Sequence, residues 1–517
     1  MRRSAASVAA LVVVFHFGQP ALHEARAITL LHEFAGGADD GAVPLASLTL
    51  SGSTLFGTTF EGGDVGYGTV YSMNTDGSDF TLLHEFAGGA NDGRNPDADL
   101  TLSGSTLFGT TNDGGNYSMG TILSINTDGS GFTLLHEFAG GVDGRYPATG
   151  LTQSGSTFFG ATLHGGNRDD GTIFSINADG SGYRLVHEFA DGRRPQGDLA
   201  LSGSTLFGTT EFGGGSTPGM IFSIKTDGSD YTPLHEFAGG ANDGADPLAG
   251  LTLSGSTLYG TTRSGGDNNR GTIFSISTDG SGFTLLHEFV GGADDGQWPQ
   301  SDVTLSGSTL YGTTLVGGDH DLGTIFSINT DGSEFTLLHE FAGGADDGAN
   351  SNVGQQTAGL TLSGSTLYGA TERGGDFGLG TVFSIEIAEP GLAGDYNNNG
   401  TVDAADYVLW RKTGGSQDDY ETWRAHFGET AGNVTPGDFN NDGSVDAADY
   451  VVWRKAGGTQ DDYNTWRANF GRTAGSGSGS AGDSPSQTAV PEPVTLWLAL
   501  AGVAIWMRLR VGHRTKT

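Results

Sequence analysis

The chain has 517 residues and a formal charge of −36, from 60 acidic against 24 basic residues, a balance that excludes a nucleic-acid partner because its phosphates would be repelled. It contains no cysteine, so no disulfide can staple it, and stability must come from buried area, closure of the architecture or metal. Ninety glycines exclude long helices as the main architecture and point to many short strands and turns.

Arg2 and Arg3, an apolar run from Val8 to Phe17 and Ala25-Arg26-Ala27 follow the layout of a secretory signal peptide, residues 1–27, with Ala27 as the processing position. Ile28 is then the mature start. It opens the phrase "ITLLHEF", which returns with histidines at 32, 84, 136, 187, 235, 287 and 339, spaced 52, 52, 51, 48, 52 and 52 residues apart. A period of this size means an array, a solenoid or a propeller.

Each unit holds four apolar pieces, "LTL", "STLFGTT", "GTVYSM" and "FTLLHEF" in the first copy, rich in Thr, Leu, Ile, Val, Phe and Tyr. Gly, Asp, Asn or Ser bound them, which is the strand signal, and Ser-Gly-Ser and Asp-Gly-Ser are tight-turn chemistry. Four antiparallel strands repeated seven times predict a mainly β fold, a seven-bladed β-propeller over residues 28–390. Residues 28–34 are a fourth strand without its unit, and "GTVFSIEI", 380–387, ends the last unit after its third. The two should pair and close the ring.

The units resemble the GloVer tandem repeat on Leu258-Tyr259-Gly260-Thr261-Thr262, Gly265-Gly266 and Gly271-Thr272-Ile273-Phe274. The resemblance implies a surface or secreted repeat protein and brings no established activity.

Neighbours on a strand point to opposite faces, so alternation puts His84 with Leu82 and Phe86 and places Glu85 across the sheet. The histidines then read as hydrogen-bonded between packed blades, not as a repeated catalytic pair. The "GGADDG" links should gather on one rim with the links between second and third strands, ringing it with Asp39, Asp40, Asp92, Asp143, Asp243, Asp294, Asp295, Asp346 and Asp347. Turn formation is the leading reading of these aspartates, and weak calcium or hydroxylated-ligand binding the alternative. The exceptions to the repeat are Arg193 and Arg194 in "ADGRRP", an extended link before the seventh blade, and His164 and His320 in links three blades apart. That separation argues against a shared catalytic site, and no catalytic residue is assigned.

After Glu389-Pro390 comes "DYNNNGTVDAADYVLWRK", and 43 residues later "DFNNDGSVDAADYVVWRK". Calcium takes six or more oxygens, which a twelve-residue loop supplies from positions 1, 3, 5, 7, 9 and 12 with glycine at 6. Those positions are Asp395, Asn397, Asn399, Thr401, Asp403 and Asp406, and then Asp438, Asn440, Asp442, Ser444, Asp446 and Asp449, with Gly400 and Gly443 at the turns. Two Ca2+ ions are expected. Tyr420, Trp423 and Phe427 recur at helical spacing, as do Tyr463, Trp466 and Phe470. Residues 391–473 resemble a type I dockerin, a small α-helical module whose loop position 12 is Asp, as at Asp406 and Asp449. The resemblance implies calcium-dependent docking to a cohesin-like partner.

A flexible linker, 474–489, leads to 490–517, where Pro491-Glu492-Pro493, an apolar run from Val494 to Met507 and a basic tail resemble the PEP-CTERM sorting signal. The run is marginal for spanning a bilayer, so membrane association is transient. The resemblance implies processing by an exosortase-type enzyme and delivery to the cell surface or extracellular matrix of a Gram-negative bacterium. Together these readings describe an exported binding or matrix module with a glycan or matrix ligand on the acidic loop face. The rival is an extracellular carbohydrate-active enzyme of polysaccharide catabolism, recruited to an assembly by its dockerin.

Overall fold

The structure, a computed structural model, describes residues 26–387 except 191, 214–216 and 351–357, together with six helical residues farther on. The chain divides into two units, Met1–Ile387 and Ala388–Thr517. Each is treated by itself.

The first unit holds seven four-stranded antiparallel blades. In the first blade the order is Thr49–Ser51, Thr54–Thr59, Thr69–Asn74 and Thr81–Glu85. The seventh takes Thr361–Ser363, Thr366–Thr371 and Thr381–Glu386 from the end of the repeat region and Ile28–Glu33 from its start. Ile28 faces Ile385 and Glu33 faces Thr381, so the offset predicted from the sequence closes the ring. Closure removes two free sheet edges, which otherwise template aggregation.

Blades hold together through seven apolar clusters, one at each blade interface. The phenylalanine of every "HEF" is at most 2% exposed in them, from Phe34 to Phe341. Removing such a ring from a core costs about 3–5 kcal/mol. Gly57 in "LFGTT" is required by close approach: a Cβ there would strike the Tyr71 ring, which lies across the neighbouring strand. The same relation recurs between Gly260 and Phe274.

At the inner edge, Thr49 Oγ1 donates to the Leu100 carbonyl at 2.5 Å, and Thr101, Thr152, Thr252 and Thr304 reach the following blade likewise. Thr361 donates to the Leu48 carbonyl and carries this belt across the closure. In the "DGS" turns, Asp76 Oδ1 accepts the Ser78 amide and hydroxyl, as predicted for tight turns.

The alternation expected in "TLLHEF" is corrected by a β-bulge. Val70 faces His84 while Tyr71 faces Leu82, so one residue is inserted between the two pairs. His84 therefore keeps the face of Phe86 but loses that of Leu82, and Leu83 packs beside it toward the second blade. Every fourth strand carries the same bulge.

Apart from six helical residues, the predicted α-helical calcium module, with all twelve of its loop ligands, lies outside the described residues, as do Pro491, Glu492 and Pro493. Within that unit the described residues, all helical, are Tyr407, Arg411, Trp423, Arg424, Arg454 and Arg467, with the Tyr407 and Trp423 rings 5.1 Å apart. Among the described residues no helix is long and apolar enough to cross a membrane.

Candidate ligand face at the channel mouth

The links from fourth to first strands meet the links from second to third strands on one face, as predicted. They do so through short antiparallel pairs such as Gly41–Ala42 with Glu61–Gly62 and Gly296–Gln297 with Val316–Gly317. Both links are pinned by the His-Glu pair of the fourth strand. His84 Nε2 lies 3.0 Å from Asp92 Oδ1, and the same carboxylate accepts the amides of Ala87 and Gly93. Glu85 Oε2, on the other side of the sheet, accepts the amide of Asp64 in the second link. The His84 ring stacks on Phe132 of the next blade with centroids 3.8 Å apart, so the histidine does sit between blades.

The same pairing holds for His32–Asp40, His136–Asp143, His235–Asp243, His287–Asp295 and His339–Asp347. These aspartates have their oxygens engaged inside the loops. Asp39, Asp294 and Asp346 stand exposed beside them. Turn formation is thus the role of the inner set. Among the described residues no group of three or more acidic or histidine side chains is placed to hold a metal ion.

Inside the ring of links, the position two residues before each first strand reads Ser47, Asp99, Gly150, Asp198, Gly250, Asp302 and Gly359 in blade order. Five of them, Ser47, Asp99, Asp198, Asp302 and Gly359, line one small cavity together with Asp97, Gln196 and Gln300. The Ser47 amide donates to Asp99 Oδ1 at 2.6 Å, Gly150 to Asp198 at 2.6 Å, and Gly250 to Asp302 at 2.5 Å. A Cβ on Gly250 would lie 2.8 Å from the Asp198 backbone, and one on Gly150 2.6 Å from the Asp198 carboxylate, so a side chain at either would crowd the ring. Side chains fit only at every other blade, and seven is odd, so the alternation cannot close. The short Ser47 fills the mismatch and takes the Gly359 amide on its hydroxyl at 3.0 Å.

Burial raises the carboxyl of Asp198 well above the usual carboxylate range, with Asp99 and Asp302 adding repulsion. Burial likewise lifts Asp302 to about 7, reinforced by Asp99, and Asp97 to about 7, opposed by its Asn112 hydrogen bond. Asp99 is raised by burial too. No lysine or arginine lines the cavity to offset these charges. Its volume is about 30 Å³, room for a water or two and not for a sugar ring. Sequence reasoning missed this cluster, although the alternation of Asp and Gly in one column of the repeat carried the signal.

One further position of the links departs from the repeat. Val43, Asn95, Tyr146, Arg194, Asp246 and Trp298, each just before a proline, hold φ between 54° and 59°. Left-handed backbone is uncommon outside glycine and most costly for branched or bulky residues. Val43 and Asn350, the seventh of the column, are buried, and the other five reach the surface at least in part. His164 lies on a third-blade link, half-buried beside Asp169, while His320 is exposed on a sixth-blade link.

The fold defines a closed seven-bladed β-propeller with one decorated face. The chain belongs to the Gloeobacter/Verrucomicrobia repeat family, which matches residues 13–219 and 194–413. A search of curated proteins finds no match. Among solved structures the chain is similar to a nidogen/laminin complex, at 16% identity, TM-score 0.32, covering 51% of this chain and 84% of that one. It is also similar to an oligogalacturonate lyase in complex with manganese, at 10% identity, TM-score 0.44, covering 70% and 93%, and to TolB from Acinetobacter baumannii, at 12%, 0.35, 53% and 60%. At these values the likenesses carry no argument about activity.

Proposed function

We propose that this is an exported, non-enzymatic binding or matrix protein of a bacterial cell surface, with the link face of the propeller as its ligand surface. The observation that carries the reading is the left-handed column. In a repeat whose strands are nearly identical, a variable position holds a strained backbone and presents in turn Asn95, Tyr146, Arg194, Asp246 and Trp298. Strain of this kind, about 1–3 kcal/mol per residue, is held by the surrounding structure and clusters at active sites and ligand clamps. Aromatic, amide and charged side chains around one mouth are the means of recognising a hydroxylated ligand such as a glycan.

The dockerin resemblance adds calcium-dependent attachment to a cohesin-like partner, and the terminal segments add export and sorting by an exosortase-type enzyme. Four non-repeated carboxylates on the axis favour the rival reading, a carbohydrate-active enzyme. The small cavity around them opposes it, since catalysis needs a substrate atom within hydrogen-bond reach of the acid. The test is a glycan-array screen of the full chain with and without calcium. Binding that falls on changing Trp298 and Asp246 to alanine supports the face; binding unaffected by both changes removes it.

A further inference from the structure

We propose that the cleft between the third and fourth blades is a carboxylate-recognition site for an acidic sugar residue carried on an otherwise neutral saccharide. The inference rests on the reading of the link face as the ligand surface and names the chemistry of one part of it. Four observations carry it.

The fourth blade opens with the shortened link "ADGRRP", which places Arg193 and Arg194 where other blades carry Ala42-Val43 or Ala245-Asp246. Arg193 and Phe212 exchange backbone hydrogen bonds, at 2.8 Å from the Arg193 amide and 3.1 Å from the Phe212 amide. That bridge holds both guanidiniums over a single ring, at 5.3 and 5.8 Å from its centroid. Stacking on an aromatic face fixes a guanidinium without using its hydrogen-bond donors.

Two cations over one ring repel each other unless an anion lies between or beside them. Glu211 meets Arg194 at 3.3 Å and also accepts from Gln196 at 2.8 Å. Arg193 has no ion pair among the described residues. Arg168 reaches only the Ala190 carbonyl, at 3.1 Å. Arg168, Arg193 and Arg194 are all exposed.

His164, Asp169 and Asp170 complete the cleft walls. Asp169 is already engaged by Arg145 at 2.6 Å. His164 Nδ1 donates to the Asp169 carbonyl at 3.3 Å, and its ring stands edge-on to Tyr146 with centroids 6.1 Å apart. With Arg145 on Asp169 and Glu211 on Arg194 counted, four guanidiniums meet three carboxylates here, in a chain whose total charge is −36. A planar carboxylate takes two parallel hydrogen bonds from a guanidinium fork, which fits the Arg193 donors, paired with no carboxylate among the described residues.

Size and field narrow the ligand. The cleft encloses about 230 Å³, below the roughly 300–1,000 Å³ of sites that swallow a drug-sized ligand, so it takes one residue of a larger molecule. A dense polyanion would be repelled by the exposed acidic loops around the same face. A single acid on a neutral chain escapes that repulsion. Tyr146 beside the cleft supplies an aromatic edge and a hydroxyl for the sugar carrying it.

The test is calorimetry on the full chain with neutral oligosaccharides bearing one glucuronate or one galacturonate branch, their unbranched counterparts, and a glutamate-containing neutral peptide. The branched sugars should bind at least about tenfold tighter than the unbranched ones, as for charge-assisted hydrogen bonds. Arg193→Ala should abolish that difference with an unchanged melting temperature, and Arg193→Lys should restore only part of it. Equal binding of branched and unbranched sugars, with no effect of Arg193→Ala, overturns the acid site while leaving the face intact. Equal binding of the peptide overturns the saccharide. Silence of every probe, when the array finds ligands whose binding needs Trp298, overturns the site alone; silence in both overturns the face with it.

Discussion

The amide of Gly359 donates to the hydroxyl of Ser47 at 3.0 Å, so the last blade grips the first at the axis as well as at the rim. At the rim, Ile28 faces Ile385 in the seventh sheet. The ring is therefore closed at two radii by residues from opposite ends of the repeat region. If closure is a main source of stability, a chain beginning at Ala35 should melt well below one beginning at Ile28. It loses a whole outer strand and the Phe34 ring, 1% exposed, which alone is worth about 3–5 kcal/mol. The bared edge of Thr381–Glu386 should also promote association. Thermal melts and light scattering read both, and equal melting of the two chains would count against the closed ring.

The belt of inner-strand threonines has one gap. Where other blades have Thr49 or Thr252, the fourth has Ala200, partly buried against the cluster it shares with the fifth. Ala200→Thr should restore a hydroxyl beside the next blade's carbonyl and stabilise the protein by about 0.5–1.5 kcal/mol, the net worth of a hydrogen bond. Denaturant unfolding decides the sign. A loss of stability would mean that packing of the added methyl dominates.

Asp39 and Asp40 are neighbours with opposite roles. Asp40 accepts from His32 at 3.0 Å and from the amides of Ala35 and Gly41, whereas Asp39 stands exposed. Asp40→Ala should cost about 1–3 kcal/mol, because it leaves a ring nitrogen and two amides without their acceptor. Asp39→Ala should stay within about 0.5 kcal/mol. Equal costs in chemical denaturation would refute the division of labour.

The axial carboxylates make stability depend on pH in an unusual direction. Asp97 and Asp302, both at about 7, bind protons more tightly folded than unfolded. An acid with a raised folded value costs stability as pH climbs from its ordinary range near 4 through 7, so this contribution favours the fold on acidification. The depressed carboxyl of Asp143 acts oppositely: burial raises it, but the His136 and Ala139 hydrogen bonds prevail, and its stabilisation is lost only as pH falls through and below the ordinary carboxylate range. Between pH 8 and 5 the melting temperature should rise, and Asp302→Asn should flatten the rise. A melting temperature that falls steadily over that window, equally in both proteins, would contradict the axial ring.

The blade count, the four-strand unit and the closing offset were legible because a fixed period and a strand signal repeat seven times. The bulge was not. "TLLHEF" is apolar on both sides of the insertion, and no glycine marks it, so Leu82 and Leu83 look interchangeable until their clusters are seen. The axial ring was hidden for a different reason. Asp99, Asp198 and Asp302 alternate with Gly150, Gly250 and Gly359, and Ser47 fills the odd position, a pattern invisible when repeats are compared for identity. Arg193 and Arg194 were visible as exceptions, but Arg168 and Phe212 belong to separate links and join them only in the folded ring.

The remaining prediction concerns calcium and residues outside the described part of the chain. If "DYNNNGTVDAAD" and "DFNNDGSVDAAD" are ion loops, each brings several carboxylates within mutual repulsion, and an ion is needed to hold them together. Adding calcium to the full chain should then produce two binding events in calorimetry and a gain of helical signal, with the propeller's β signal unchanged. Magnesium should do this poorly, because it demands a tighter octahedral shell and gives up water reluctantly. Asp395→Ala with Asp406→Ala should remove one event and leave the other, while Ser444→Ala, where the expected ligand is the backbone carbonyl, should change little. The absence of any binding at neutral pH and millimolar calcium would sink the dockerin-like reading and the cohesin-type partner that depends on it.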